Sequence, residues 1–213
     1  ASSTPNVKTI ADISNKDRIA VPAVGVSVQS RFLQYAAAQQ WGDKEYNRLD
    51  KYTLAVPHPD ATAALLAGGT ELNGHFSNPP FQDQVLANKD VHVVLNSSDL
   101  LGPNSPTLLF ATEKFREDNP KTYKAFVDAL AEAADFAQKD KAAAADTYIR
   151  VTKAKIDRDA LIKLIDNPQY EFTVTPKNTY KLADFLYRVG AIKHKPESWK
   201  DYFFQDERPL QGS

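Results

Sequence analysis

Where a strand signal gives way to a helix signal, the chain reads Val21-Pro22, then a turn of small residues through Gly25, then Ser27-Val28-Gln29. The first turn of a helix has N–H groups with no intrahelical partner and a partial positive charge, so such a turn can hold an anion. The Ser27 hydroxyl and the backbone N–H groups of Val28, Gln29 and Ser30 would be the donors. A second reading makes Ser27 an ordinary N-cap that accepts from its own helix. One hydroxyl can serve both. A third reading is catalytic: Gly25-Val26-Ser27-Val28-Gln29 is one glycine short of the G-x-S-x-G nucleophile elbow, with Gln29 in the second glycine's place. Asp99 and His194 follow in the order an α/β-hydrolase needs, but His194 lies between Lys193 and Lys195 in a basic loop.

His58, between Pro57 and Pro59, follows a second strand signal, and Ser77 and Asn78 follow a third. In a parallel sheet, all three strand ends open on one edge. The candidate ligand contacts are therefore Gly25, Val26, Ser27, Val28, Gln29, His58, Ser77 and Asn78, with His75 and Phe76 beside them and Phe81 as an apolar wall. Asn78-Pro79-Pro80 also reads as a plain rigid turn. His92 falls within an alternating strand pattern, as a surface or packed residue. The four histidines show no metal-ligand spacing, and neither a metal nor another cofactor is expected. No arginine stands within Gly25–Gln29, so a monoanion or an aromatic amide is expected there rather than a doubly charged anion.

The elements that must position these groups alternate. Strand signals lie at 18–21, 52–56, 73–76 and 91–95. Helix signals lie at 27–40, with Phe32, Leu33, Ala36 and Ala37 on one face, and from an Asp60 cap to Gly68-Gly69. This alternation predicts βαβ units, an α/β fold and a mostly parallel sheet. A turn-rich link at 101–106 leads to one more strand at 107–111, and then helices. Pro120 opens a long one with Tyr123, Phe126, Val127, Leu130 and Ala134 as its stripe; others start at Asp157 and span 178–189. The aromatic tail Trp199-Lys200-Asp201-Tyr202-Phe203-Phe204 is expected to dock on a core. A single strand is too little sheet for so many one-sided helices.

Composition narrows the function classes. With 213 residues, 42% hydrophobic and 25% charged, the chain can bury a sizeable core or two smaller lobes. Its 26 basic and 27 acidic residues leave no broad basic surface for nucleic acid. The absence of cysteine excludes disulfides, thiolate metal sites and a cysteine nucleophile. No apolar run approaches the roughly 20 residues that span a bilayer. With no methionine, residue 1 is not a translation start; a signal peptide, or more, is expected to precede it.

In order along the chain, Val7-Lys8-Thr9-Ile10-Ala11-Asp12-Ile13, Arg18-Ile19-Ala20-Val21-Pro22, Gly25-Val26-Ser27-Val28-Gln29, Pro57-His58-Pro59-Asp60-Ala61, Leu66-Ala67-Gly68-Gly69, Phe115-Arg116-Glu117-Asp118-Asn119-Pro120 and the aromatic tail resemble one family. It is the nitrate/sulfonate/taurine group of ABC-importer solute-binding proteins. The resemblance implies a type II periplasmic-binding-protein-like fold of two lobes, with residues 1–104 as lobe two and 105–213 returning to lobe one. It implies that the N-terminal part of lobe one is missing from this chain, or is supplied by a second chain. A small anion would bind in the interlobe cleft, touching the turn at Gly25–Gln29, and a hinge would run through residues 101–105. Partners would be the importer's membrane subunits, the location periplasmic or otherwise extracytoplasmic, and the activity non-enzymatic. This chain departs from the family where Leu72-Asn73, preceded by Glu71, stands in place of an Asp-Ala pair. The family's catalytic branch, related to thiamine-pyrimidine synthesis, relies on a cysteine-rich motif that is absent. A transcription factor's effector domain shares the fold, but would carry a helix-turn-helix segment ahead of it.

Overall fold

A computed structural model describes residues 1–205 and 212–213; the end of the expected C-terminal domain, 206–211, lies outside the described residues. Two compact units divide the chain. One comprises Ala1–Asn104 with Asn178–Phe203, the other Ser105–Lys177 with Phe204–Ser213.

The first unit is built on three short parallel strands, β1 (Ile19–Val21), β2 (Thr53–Ala55) and β3 (Gly74–His75), in the order β2-β1-β3. Ile19 pairs with Thr53 on one side and Gly74 on the other. As the central strand, β1 must be apolar on both faces, and Ala20 and Val21 are wholly buried. Helix α1 (Val28–Trp41) follows β1 and buries the expected Phe32, Leu33, Ala36 and Ala37, together with Gln34 and Tyr35. It stops at Gly42, whose φ of 91° suits glycine. Helix α2 (His58–Ala67) follows β2 and α3 (Phe81–Leu86) follows β3. The start of α2 departs from expectation: Pro57 holds the cap position with no side-chain bond, and Asp60 sits inside the first turn. Pro59 suits that turn because it has no N–H to leave unpaired.

A fourth sheet strand at 91–95 does not form. His92 instead exchanges both backbone hydrogen bonds with Ser2, at 2.9 and 3.0 Å, and Ser2 itself bridges to Gly74. The N-terminal residues thus occupy the edge of β3 that a fourth strand would have needed. After α4 (Ser97–Leu101) the chain leaves this unit, and it returns with α9 (Thr179–Arg188). Phe185 of α9 is fully buried and meets the Tyr35 ring edge-on, 5.3 Å between centroids at 86°. The aromatic tail starts as a 3-10 turn, Trp199–Tyr202, and the Tyr202 hydroxyl lies 3.0 Å from Thr179 Oγ1.

The second unit is helical: α5 (Glu113–Asp118), α6 (Pro120–Lys139), α7 (Lys141–Thr152) and α8 (Arg158–Ile165). Asp157 caps α8 by accepting from Ala160 N at 2.9 Å. The alanine-rich α7 has no strong apolar periodicity and was not foreseen. The strand expected at 107–111 makes no ladder among the described residues, and Phe110 is 99% exposed. An extended segment becomes a strand only when a neighbouring backbone offers hydrogen bonds, and the helices around it use theirs internally.

Candidate functional site

The carboxyl ends of the three strands deliver their loops to one edge of the sheet. From β1 the chain moves to one side for β2, then crosses back for β3, so the loops after all three parallel strands meet at this edge. Gly25 makes the first loop possible with φ of 74°, and Ser27 closes it. The Ser27 hydroxyl donates to Ala23 O at 2.8 Å and accepts from Ser30 N at 3.3 Å. The Ser30 hydroxyl donates to the same carbonyl at 2.8 Å. Ser27 is therefore the cap of its own helix. The turn is not sealed: Val24, Val26 and Val28 are exposed, Val26 by 68%. The N–H groups of Val28 and Gln29 open the helix with no intrahelical carbonyl to meet.

Three side chains from three elements form a row along this edge. Gln29 Nε2 of α1 lies 3.1 Å from His58 Nε2 at the start of α2, and His58 Nδ1 lies 3.0 Å from His75 Nε2 on β3. Phe81, opening α3, stacks on His58 with centroids 5.6 Å apart and planes 25° from parallel. Half-buried groups thus lead inward to a histidine with no exposed surface. Burial pushes His75 down to about 4, and the neighbouring His58 adds to that; burial also lowers His58.

Behind Gly25, a second polar chain runs through α1. Arg31 donates to Gln34 Oε1 at 2.9 Å, and Gln34 Nε2 donates to Asp50 Oδ2 at 2.7 Å. Burial raises the Asp50 carboxyl, while the Gln34 bond and then the Arg31 charge pull it down. A Cβ on Gly25 would come within 3.7 Å of that carboxylate, so this polar chain supports the floor of the turn.

Over residues 13–151, well over half its length, the sequence matches the family model described as the NMT1-like family. The chain belongs to the NMT1-like family. Members of that family are generally periplasmic solute-binding domains of ABC transporters, and are substrate-binding proteins, not enzymes. Comparison with curated proteins and with solved structures gave no match.

In this NMT1-like chain the structure brings Gln29 and His58 into direct contact and adds His75 and Phe81 to them. Ser77 and Asn78 stand in the loop after β3, half-buried and exposed respectively; the Asn78 carbonyl accepts from Gln82 N at 3.0 Å. Arg31 was not foreseen, although it stands only two residues past Gln29. Gln34 and Asp50 were missed because nothing local distinguishes them from surface polar residues. His92 Nε2 lies 2.7 Å from Val7 O, a packed role. His194 sits in an exposed bend and Asp99 in the first turn of α4. No group of three or more metal-binding side chains occurs among the described residues, and no helix there is long and apolar enough to cross a membrane.

Proposed function

We propose that this NMT1-like chain is the extracytoplasmic solute-binding component of an ABC importer. It captures a small anion of the sulfonate, nitrate or carboxylate kind at the carboxyl edge of its parallel sheet. The observation that carries this reading is the open first turn of α1, whose Val28 and Gln29 amides stand beside the Gln29–His58 pair. Gly25 to Gln29 and His58 form the anion-facing part, and Ser77 and Asn78 approach from the loop after β3. The importer's membrane subunits are the macromolecular partners.

The lobe assignment belongs to the same proposal, with residues 1–104 as lobe two; of the remainder, Ser105–Lys177 would return to lobe one, whereas Asn178–Phe203 pack with the first unit. A further segment or a second chain completes lobe one. The exposed run Leu108, Leu109 and Phe110 supports this, since apolar side chains of that size are seldom left together in water.

Nothing favours a hydrolase: the Ser27 hydroxyl is engaged by Ala23 and Ser30. Thermal melting of the full-length protein against sulfonates, nitrate, carboxylates and pyrimidines tests the reading. A true ligand raises the midpoint progressively with concentration. Silence across the panel, together with esterase turnover that Ser27→Ala abolishes, would overturn the assignment.

A further inference from the structure

The Gln29–His58–His75 row has a direction. An amide nitrogen only donates, so Gln29 Nε2 gives a hydrogen bond and His58 Nε2 receives it. A neutral imidazole then carries its one proton on the other nitrogen, and His58 Nδ1–H donates to His75 Nε2. His75 in turn keeps its proton on Nδ1, which is buried with no hydrogen-bond partner among the described residues. The inner end is closed. Only Gln29 opens outward, and with its nitrogen turned inward its carboxamide oxygen is left to whatever occupies the edge.

We propose that this row sets the hydrogen-bonding polarity of the ligand edge, and that a single proton on His58 reverses it. The inference rests on the ligand reading of this edge and deepens it. When His58 Nε2 takes a proton from solvent, both ring nitrogens become donors. The Gln29 amide can no longer face it with NH2 and turns over, so that Oε1 accepts from His58 and NH2 points to the ligand. An edge that offered an acceptor now offers a donor, beside a new positive charge and the first-turn amides of α1. Anions therefore bind better as pH falls, and ligands with donor groups bind better as it rises.

The first proton belongs to His58. His75 is fully enclosed, and a second charge 3.0 Å away would repel the first. Burial places the change below the ordinary histidine range. Other titratable groups around the pair are few: Asp60 in the same turn of α2, Asp83 in the first turn of α3, and the Ala1 amino group, which donates to His75 O at 2.9 Å. Arg31 on α1 is directed to Gln34, and Arg18 beside β1 to the Asn15 and Asp17 carbonyls.

Nitrogen-15 NMR of the full chain tests this without a natural ligand. From about pH 8 to about pH 5, imidazole spectra read the tautomers and amide spectra follow the Gln29 NH2 group. His58 is expected as the Nδ1–H tautomer at the alkaline end, with the Gln29 signals moving at the His58 midpoint. Affinity for methanesulfonate, the probe anion, is expected to rise about tenfold across that midpoint. His58 as the Nε2–H tautomer, or Gln29 signals that ignore its titration, would overturn the proposal. His75→Phe should release His58 into both tautomers; if that variant does not fold, Gln29→Leu, in a half-exposed first turn, should keep the His58 titration and flatten the affinity profile. Coupled signals with no methanesulfonate binding at any pH would sink the ligand reading and leave the switch standing. Binding that is independent of pH, with a silent amide, would sink the switch alone.

Discussion

His58 Nδ1 stands 3.0 Å from His75 Nε2, with 5.2 Å between the ring centroids, so the opening of α2 and the end of β3 are joined by a bond that one proton occupies at a time. One ring is half-buried and the other is enclosed. The pair links the surface of the sheet edge to its interior.

That enclosure makes stability depend on pH. His75 titrates at about 4 in the folded chain, against an ordinary value of 6.5. Between these values the unfolded state binds more protons, so stability falls as pH falls through the window, by up to about 1.4 kcal/mol per pH unit from this one group. Above 6.5 the effect is absent. Urea midpoints measured across the window should fall less steeply in His75→Gln than in the native chain. Equal slopes would show that His75 does not titrate as its burial requires.

At Ser27, capping and ligand contact predict different outcomes. Ser27→Ala removes the bond to Ser30 N and should cost about 1 kcal/mol of stability, while Ser27→Gly should cost only a few tenths. Denaturant titration of both variants measures this. A loss of ligand affinity in Ser27→Gly, where the helix is nearly intact, would assign the hydroxyl to the ligand as well as to the cap.

Phe185 ties the returning α9 to α1 through Tyr35, and Tyr46 adds a second edge-on contact at 6.4 Å. Truncation to alanine should cost about 3–5 kcal/mol, the range for a large buried aromatic. If Phe185→Ala unfolds at nearly the native urea midpoint, α9 does not belong to the core of the first unit.

The local pieces were legible because each is decided by residues within a turn or two. Ser27 before an apolar-striped run marks a helix start, Pro120 suits a first turn, and Asp157 caps α8; all three lie where the pattern put them. Segments 91–95 and 107–111 were misread for the opposite reason. Both have strand composition, but a strand also needs a partner backbone. Ser2 occupies the place beside β3, and the helices around residues 107–111 offer none.

The candidate site divides along the same line. Residue type and position after a strand were enough to single out Gln29 and His58 separately; the solute-binding class came from the resemblance of several segments, in order, to a known family. The meeting of Gln29 and His58, and the addition of His75, waited on the tertiary structure, because these residues lie 29 and 17 positions apart. The strand order β2-β1-β3 and the crossover it requires bring three loops to one edge. Short-range preferences shape each loop, but only packing across the sheet decides which side chains share a hydrogen bond.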